Sequence, residues 1–109
     1  MSGFTIQDLA GIIDARAASS GDVSYTRKLL DKGVEHCAKK LGEEAIEVVI
    51  AAVETDSVRE NVIAESADLI FHLLVLLKAR GVTLPEVEAE LGRRTQMSGL
   101  EEKAARKAE

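Results

Sequence analysis

Asn61-Val62-Ile63-Ala64-Glu65-Ser66-Ala67-Asp68-Leu69-Ile70-Phe71-His72-Leu73-Leu74-Val75-Leu76-Leu77 is the stretch that decides the fold. Apolar side chains cover nearly every side of it, as they do in a helix at the centre of a bundle or an interface. The polar residues are confined. Asn61, Glu65, Asp68 and His72 follow one another at spacings of four, three and four, forming one ribbon within about 60° on a helical wheel. Ser66 is the only other polar side chain here and is small enough to pack. A carboxylate on a mostly buried helix is costly unless it is paired or metal-bound. The ribbon therefore predicts a partner.

Working outward, Ser57-Val58-Arg59-Glu60 reads as a capping box that opens this helix, and Gly81 closes it. Thr55-Asp56 is a tight connection to a preceding long helix, expected from about Val34 to Glu54. The run Ile46-Glu47-Val48-Val49-Ile50 is rich in β-branched residues and favours a strand. No Gly or Pro interrupts residues 43–57 and no hairpin turn follows, so the helical pattern outweighs it. Upstream, Thr5 and Asp8 form a capping pair for a helix to about Ala18. Residues 19–22 are a loop, and Ser24 and Thr26 offer hydroxyl caps for a short helix ending near Gly33. Downstream, Thr83-Leu84-Pro85-Glu86 is a further capping box with Pro in the first turn, and its helix fades at Arg94. Residues 95–109 are a charged tail in which Ser98 and Glu101 suit a last cap. The expectation is an all-α fold of four to five helices. Its core is an antiparallel helical hairpin, completed as a bundle in a homodimer. One domain spans residues 1–94, with the tail at 95–109.

At 109 residues the chain is one domain, long enough to hide about 60–70% of its unfolded surface. Apolar residues make up 46%, plentiful for so short a chain, which is the reason to expect a homodimer. The net charge is −5 and aromatics are 3%. Neither a phosphate-tracking groove nor base-stacking platforms are visible, so nucleic acid is not an expected partner. Cys37 stands alone and falls in an apolar helical stretch, which predicts a buried inert thiol and suits a reducing cytosol. Met1-Ser2-Gly3-Phe4 lacks the basic flank and apolar core of a signal peptide. Leu69 to Leu77 is half the length of a membrane span. A soluble, cytoplasmic protein is expected, with no membrane partner and no domain ahead of Phe4.

The second acidic cluster is Glu43-Glu44-x-x-Glu47 on the preceding helix. His36, Lys40, Glu43, Glu44 and Glu47 share a sector of about 100°, while Ala38, Leu41, Ala45, Val48, Val49 and Ala52 take the other side. Alone this is an ordinary amphipathic helix with a solvated polar face. Two antiparallel helices joined by a short loop face each other, however, so the Glu44/Glu47 stripe meets the Glu65/Asp68 stripe. Like charges three or four residues apart cost about 0.2–0.5 kcal/mol per pair. Lys40 can satisfy one acid, but hardly five. A hard divalent cation such as Mg²⁺ is the obvious counter-charge, because it prefers oxygen ligands and leaves positions for phosphate oxygens. The absence of a His pair or Cys cluster speaks against zinc. Such a site, binding a polyphosphate, suggests phosphoanhydride hydrolysis by metal-activated water.

Ser24-Tyr25-Thr26, Lys40-x-Gly42-Glu43-Glu44-x-x-Glu47 and Glu65-x-x-Asp68-Leu69-x-x-His72-Leu73-Leu74 together closely resemble the phosphoribosyl-ATP pyrophosphohydrolase family, from about Phe4 to Arg94. The barer signature E-x-x-E with E-x-x-D is shared with the all-α nucleoside triphosphate pyrophosphohydrolases. The resemblance implies hydrolysis of phosphoribosyl-ATP between its α and β phosphates, the second step of histidine biosynthesis. It also implies Mg²⁺ held by Glu44, Glu47, Glu65 and Asp68, with Glu43 as an additional ligand or a base that orients water. Lys40 matches the family's lysine and would contact phosphate. Arg94 is a candidate bidentate phosphate contact, set against its ordinary preference for a helix C-terminus. Ser24 stands at a helix N-terminus able to bind phosphate, or simply caps it. His72, one turn beyond Asp68, is read as orienting that carboxylate from behind; His36 is read as solvated surface. Two rivals remain: a house-cleaning pyrophosphohydrolase of (d)NTPs using the same site, and a helical dimerisation module whose acids are merely solvated or salt-bridged.

Overall fold

In the computed structural model, residues 3–19, 24–96, 99, 103–104 and 106 are described. They form α1 (Ile6–Ala18), α2 (Tyr25–Asp31), α3 (Val34–Val53), α4 (Arg59–Ala79) and α5 (Leu84–Arg94), with no strand among the described residues. The all-α expectation holds. The β-branched run at Ile46–Ile50 is helical, since α3 continues unbroken through it. The expected cap at Ser98 and Glu101 lies outside the described residues.

Local chemistry sets most of the helix ends. At α1, Thr5 Oγ1 accepts from the Asp8 N–H at 3.0 Å while the Thr5 N–H donates to Asp8 Oδ2 at 3.0 Å. At α5 the same reciprocal pair joins Thr83 and Glu86, at 3.3 and 2.8 Å. The bonds from Thr83 hold the Glu86 carboxyl below its ordinary range. Removing an N-cap hydroxyl costs about 1 kcal/mol. Thr83→Ala is thus expected to lower Tm by about 4–8 °C in thermal unfolding followed by circular dichroism; an unchanged Tm would show that the box contributes nothing.

The capping box expected at Ser57 does not form. Helix α4 starts at Arg59 with Val58 as its N-cap and no side-chain cap bond. The Ser57 N–H instead donates to the Glu54 carbonyl at 3.2 Å, which draws Ser57 into the turn that closes the hairpin. At the other end of α4, Gly81 (φ 71) adopts a left-handed conformation. Its N–H donates to the Lys78 carbonyl at 3.1 Å, and the Val82 N–H donates to the Leu77 carbonyl at 2.9 Å. This is the paired bonding that ends a helix cleanly on glycine.

Helices α3 and α4 pack along each other as the expected hairpin, and α1 and α2 lie against one end of it. There Ile13, Leu29, Cys37, Leu74 and Val75 form the buried core, with Leu9, Ile70, Phe71 and Leu84 packed on it. Cys37 is buried as expected; its Sγ–H donates to the Leu29 carbonyl at 3.2 Å and burial pushes the thiol up. Among the described residues, the opposite end of the hairpin has no third layer. Val49, Ala38 and Ala52, placed by the wheel on the packed side, are exposed, whereas Leu41, Ala45 and Val48 are half-buried. Ile46, Val49 and Val53 stand 61%, 58% and 71% exposed. Among the described residues no helix is long and apolar enough to cross a membrane.

Candidate metal centre

The hairpin register assembles the acids. On α3, Glu44 lies in the half-buried seam between Leu41 and Val48. Across from it on α4, Glu65 is half-buried and Asp68 stands at the exposed edge. Carboxylate oxygens from Glu44, Glu65 and Asp68 all lie within 4.8 Å of one another. Three negative groups at that spacing repel. The Glu65 carboxyl is accordingly raised above its ordinary value, first by burial and then by the charges of Asp68, Glu47 and Glu44.

Glu47 is exposed one turn along α3. Its charge bears on Glu65, yet it is outside the group of three. Glu43 is paired within its own helix, with Oε1 3.4 Å from Lys40 Nζ. That bond is the main reason the Lys40 ammonium is held above its ordinary value. Every donor in the group of three is a carboxylate oxygen, with neither Cys nor His among them. An all-oxygen set with excess negative charge suits a hard divalent cation such as Mg²⁺.

His72 is buried, and its carboxylate neighbour is not the one expected. Nε2 lies 3.6 Å from Glu44 Oε1 across the hairpin, beyond hydrogen-bond range but within that of an ion pair. Asp68 acts on the ring only through its charge. Burial lowers the imidazole below its ordinary value, against the pull of Glu44 and assisted by Lys40.

The remaining sequence candidates are placed as follows. Ser24 is the N-cap of α2, its Oγ accepting from the Arg27 N–H at 3.0 Å. Thr26, expected as a second cap, is instead fully buried, and its Oγ1 makes no hydrogen bond among the described groups. Arg94 ends α5 with Nε 3.0 Å from Glu90 Oε2; together with Arg93 it holds the Glu90 carboxyl down to about 2. His36 is half-buried and lines a cleft.

Sequence reasoning quoted Tyr25 only within the Ser24-Tyr25-Thr26 motif and gave it no role of its own. Its ring stacks on Phe71 with centroids 6.1 Å apart and meets His72 edge-on, also at 6.1 Å. It thereby stands beside the acidic group on the α2 side. The signal in the sequence was its place directly after the Ser24 cap, which brings position 25 to the start of α2.

Residues 6–95 match the family described as phosphoribosyl-ATP pyrophosphohydrolase. Phosphoribosyl-ATP pyrophosphatase 1 of Bradyrhizobium diazoefficiens is 72% identical over 107 residues, 98% of this chain and 99% of that protein. Phosphoribosyl-ATP pyrophosphatase of Nitrobacter winogradskyi is 73% identical, covering 97% of this chain and 90% of its own. The protein of the same name from Nitrobacter hamburgensis is 70% identical over the whole of both chains.

Proposed function

The chain belongs to the phosphoribosyl-ATP pyrophosphohydrolase family, and we propose on that footing that it hydrolyses the α–β phosphoanhydride of phosphoribosyl-ATP with Mg²⁺. Water is consumed, and phosphoribosyl-AMP and pyrophosphate are released, as the second step of histidine biosynthesis in the cytoplasm. The observation that carries the chemistry is the meeting of Glu44, Glu65 and Asp68 across the hairpin.

In this account those three carboxylates hold the cation, and Glu47 completes the set by turning its exposed side chain toward Glu65. When bound, Mg²⁺ supplies neutralising charge to the phosphate oxygens and lowers the pKa of water. Phosphoryl transfer depends mainly on such placement of charge. His72, buried 3.6 Å from Glu44, keeps that carboxylate aimed at the site. Lys40 binds a phosphate of the substrate. As it does so, Glu43 loses its partner and is freed to accept a proton from the attacking water. Ser24 contributes by keeping the first turn of α2 in place. Arg94 serves as a phosphate contact by exchanging the Glu90 carboxylate for a phosphate, one anion for another. The domain is taken to run over residues 1–94, without a role for the tail.

The names and identities of the relatives favour this reading over (d)NTP house-cleaning, which would use the same carboxylates. The test is pyrophosphate release from phosphoribosyl-ATP, ATP and a panel of dNTPs under one set of conditions. Turnover confined to phosphoribosyl-ATP is expected. Turnover of dNTPs in its place would move the protein to the other branch.

We also propose that a second copy of the chain covers the open end of the hairpin. Ile46, Val49, Ile50 and Val53 repeat at helical spacing on one exposed face of α3, and Ile63 on α4 is 52% exposed. A contiguous apolar face of this kind is unusual on a monomer. Val49→Glu is expected to convert a dimer to a monomer in size-exclusion chromatography with light scattering. A wild-type monomer, or a variant that remains dimeric, would remove this face from the interface.

A further inference from the structure

Beside the carboxylates lies a second feature of opposite charge. Tyr25, Lys28, Lys32, His36 and Lys40 line a cleft of about 490 Å³ between α2 and the start of α3. Its one acid, Asp31, is already paired with Arg27 at 2.9 Å. Lys28 and Lys32 stand four residues apart on one face and have no anionic partner among the described residues. Such a like-charged pair is unfavourable by itself. In a chain of net charge −5, this gathers positive charge at one mouth.

The cleft adjoins the acidic group at two points. Lys40 lies in its wall and reaches Glu43 at 3.4 Å. Tyr25 lies in the same wall 6.1 Å from His72, which in turn is 3.6 Å from Glu44. From Glu44 to His36 the helix advances about 12 Å (eight residues at 1.5 Å each). A ligand reaching from the carboxylates to the His36 end of the cleft spans about that distance, longer than the linked phosphates of a triphosphate. The Tyr25 ring, 54% exposed and fixed by stacking on Phe71, offers a flat part of such a ligand an aromatic plane.

Phosphoribosyl-ATP carries a triphosphate on one ribose and a single phosphate on a second ribose attached to the purine. We propose that the cleft receives the 5-phosphate of the phosphoribosyl group, with Lys28 and Lys32 as its direct contacts. This contact separates phosphoribosyl-ATP from ATP. The assignment rests on the hydrolase reading above and adds the group that sets its specificity. Lys40, nearest the carboxylates, serves the triphosphate end.

The test is steady-state hydrolysis of phosphoribosyl-ATP by wild type, K28Q, K32Q and the double variant, with ribose 5-phosphate and pyrophosphate as inhibitors. Each lost charged contact is expected to raise KM about 10-fold or more, with far less change in kcat, because this phosphate is held equally before and at the transition state. The inhibition constant of ribose 5-phosphate should weaken in parallel while that of pyrophosphate holds, and K28R and K32R should restore KM. An unchanged KM would overturn the proposal. So would weakening of pyrophosphate in place of ribose 5-phosphate, which would assign the lysines to the polyphosphate. A wild type inactive on phosphoribosyl-ATP would instead overturn the hydrolase reading itself, so the two failures are distinct.

Discussion

Asp68→Asn and Glu44→Gln are each expected to reduce pyrophosphate release by about 10²–10³-fold or more, the loss seen when one preorganised electrostatic group is removed from a site. Both substitutions preserve size and polarity while removing a charge and replacing one acceptor oxygen with an N–H donor. They also relieve the repulsion that, after burial, adds to raising Glu65, so the fold should be unharmed or slightly stabilised. That combination is diagnostic. A structural salt bridge would show the opposite pattern, with stability lost and activity retained. Steady-state turnover beside thermal unfolding reads both. Near wild-type turnover in either variant would remove these residues from the site. Glu47→Gln is the informative companion, since Glu47 is exposed and outside the group of three. A loss as deep as that of Asp68→Asn would place Glu47 among the ligands.

The second large effect is on stability. A cation that binds the folded chain alone adds about 2.7 kcal/mol at one hundred times its Kd, which for a domain of this size is a rise in Tm of about 10 °C. The shift should depend on pH. Glu65 carries a raised folded value, so its proton stabilises the folded state fully below the ordinary carboxylate range. That contribution is lost as pH rises through the raised value. Protons and Mg²⁺ thus compete for the same oxygens. The Mg²⁺-induced rise in Tm should be large at pH 8, smaller near pH 5, and absent at both in Asp68→Asn. An equal shift in wild type and variant would mean that the ion binds elsewhere.

Much of this arrangement was legible in the residues. The ribbon Glu65, Asp68, His72 on an otherwise apolar helix announced that α4 faces an acidic partner. The capping pairs at Thr5 and Thr83 set their helix ends as expected. What was not legible depends on contacts across the hairpin. The partner of His72 is Glu44 and not Asp68, because the register of α3 against α4 decides it, and one helical wheel carries no register. Ser57 failed as a cap because the tight turn claims its backbone. The solvent-exposed Val49 face looked like core on the wheel, since periodicity marks an apolar face without saying whether the same chain covers it. Arg94 was singled out for phosphate, yet its immediate neighbour is Glu90, four residues earlier. That spacing pairs charges on any helix and was readable from the start.

On the proposed reading, carboxylates on facing helices hold a divalent cation for phosphoanhydride hydrolysis. The most direct test of that reading is turnover of phosphoribosyl-ATP by metal-stripped protein as free Mg²⁺ is titrated back from an EDTA-buffered zero. No pyrophosphate release is expected without metal, with a saturable return of activity as Mg²⁺ is added. Full turnover in EDTA would contradict the reading.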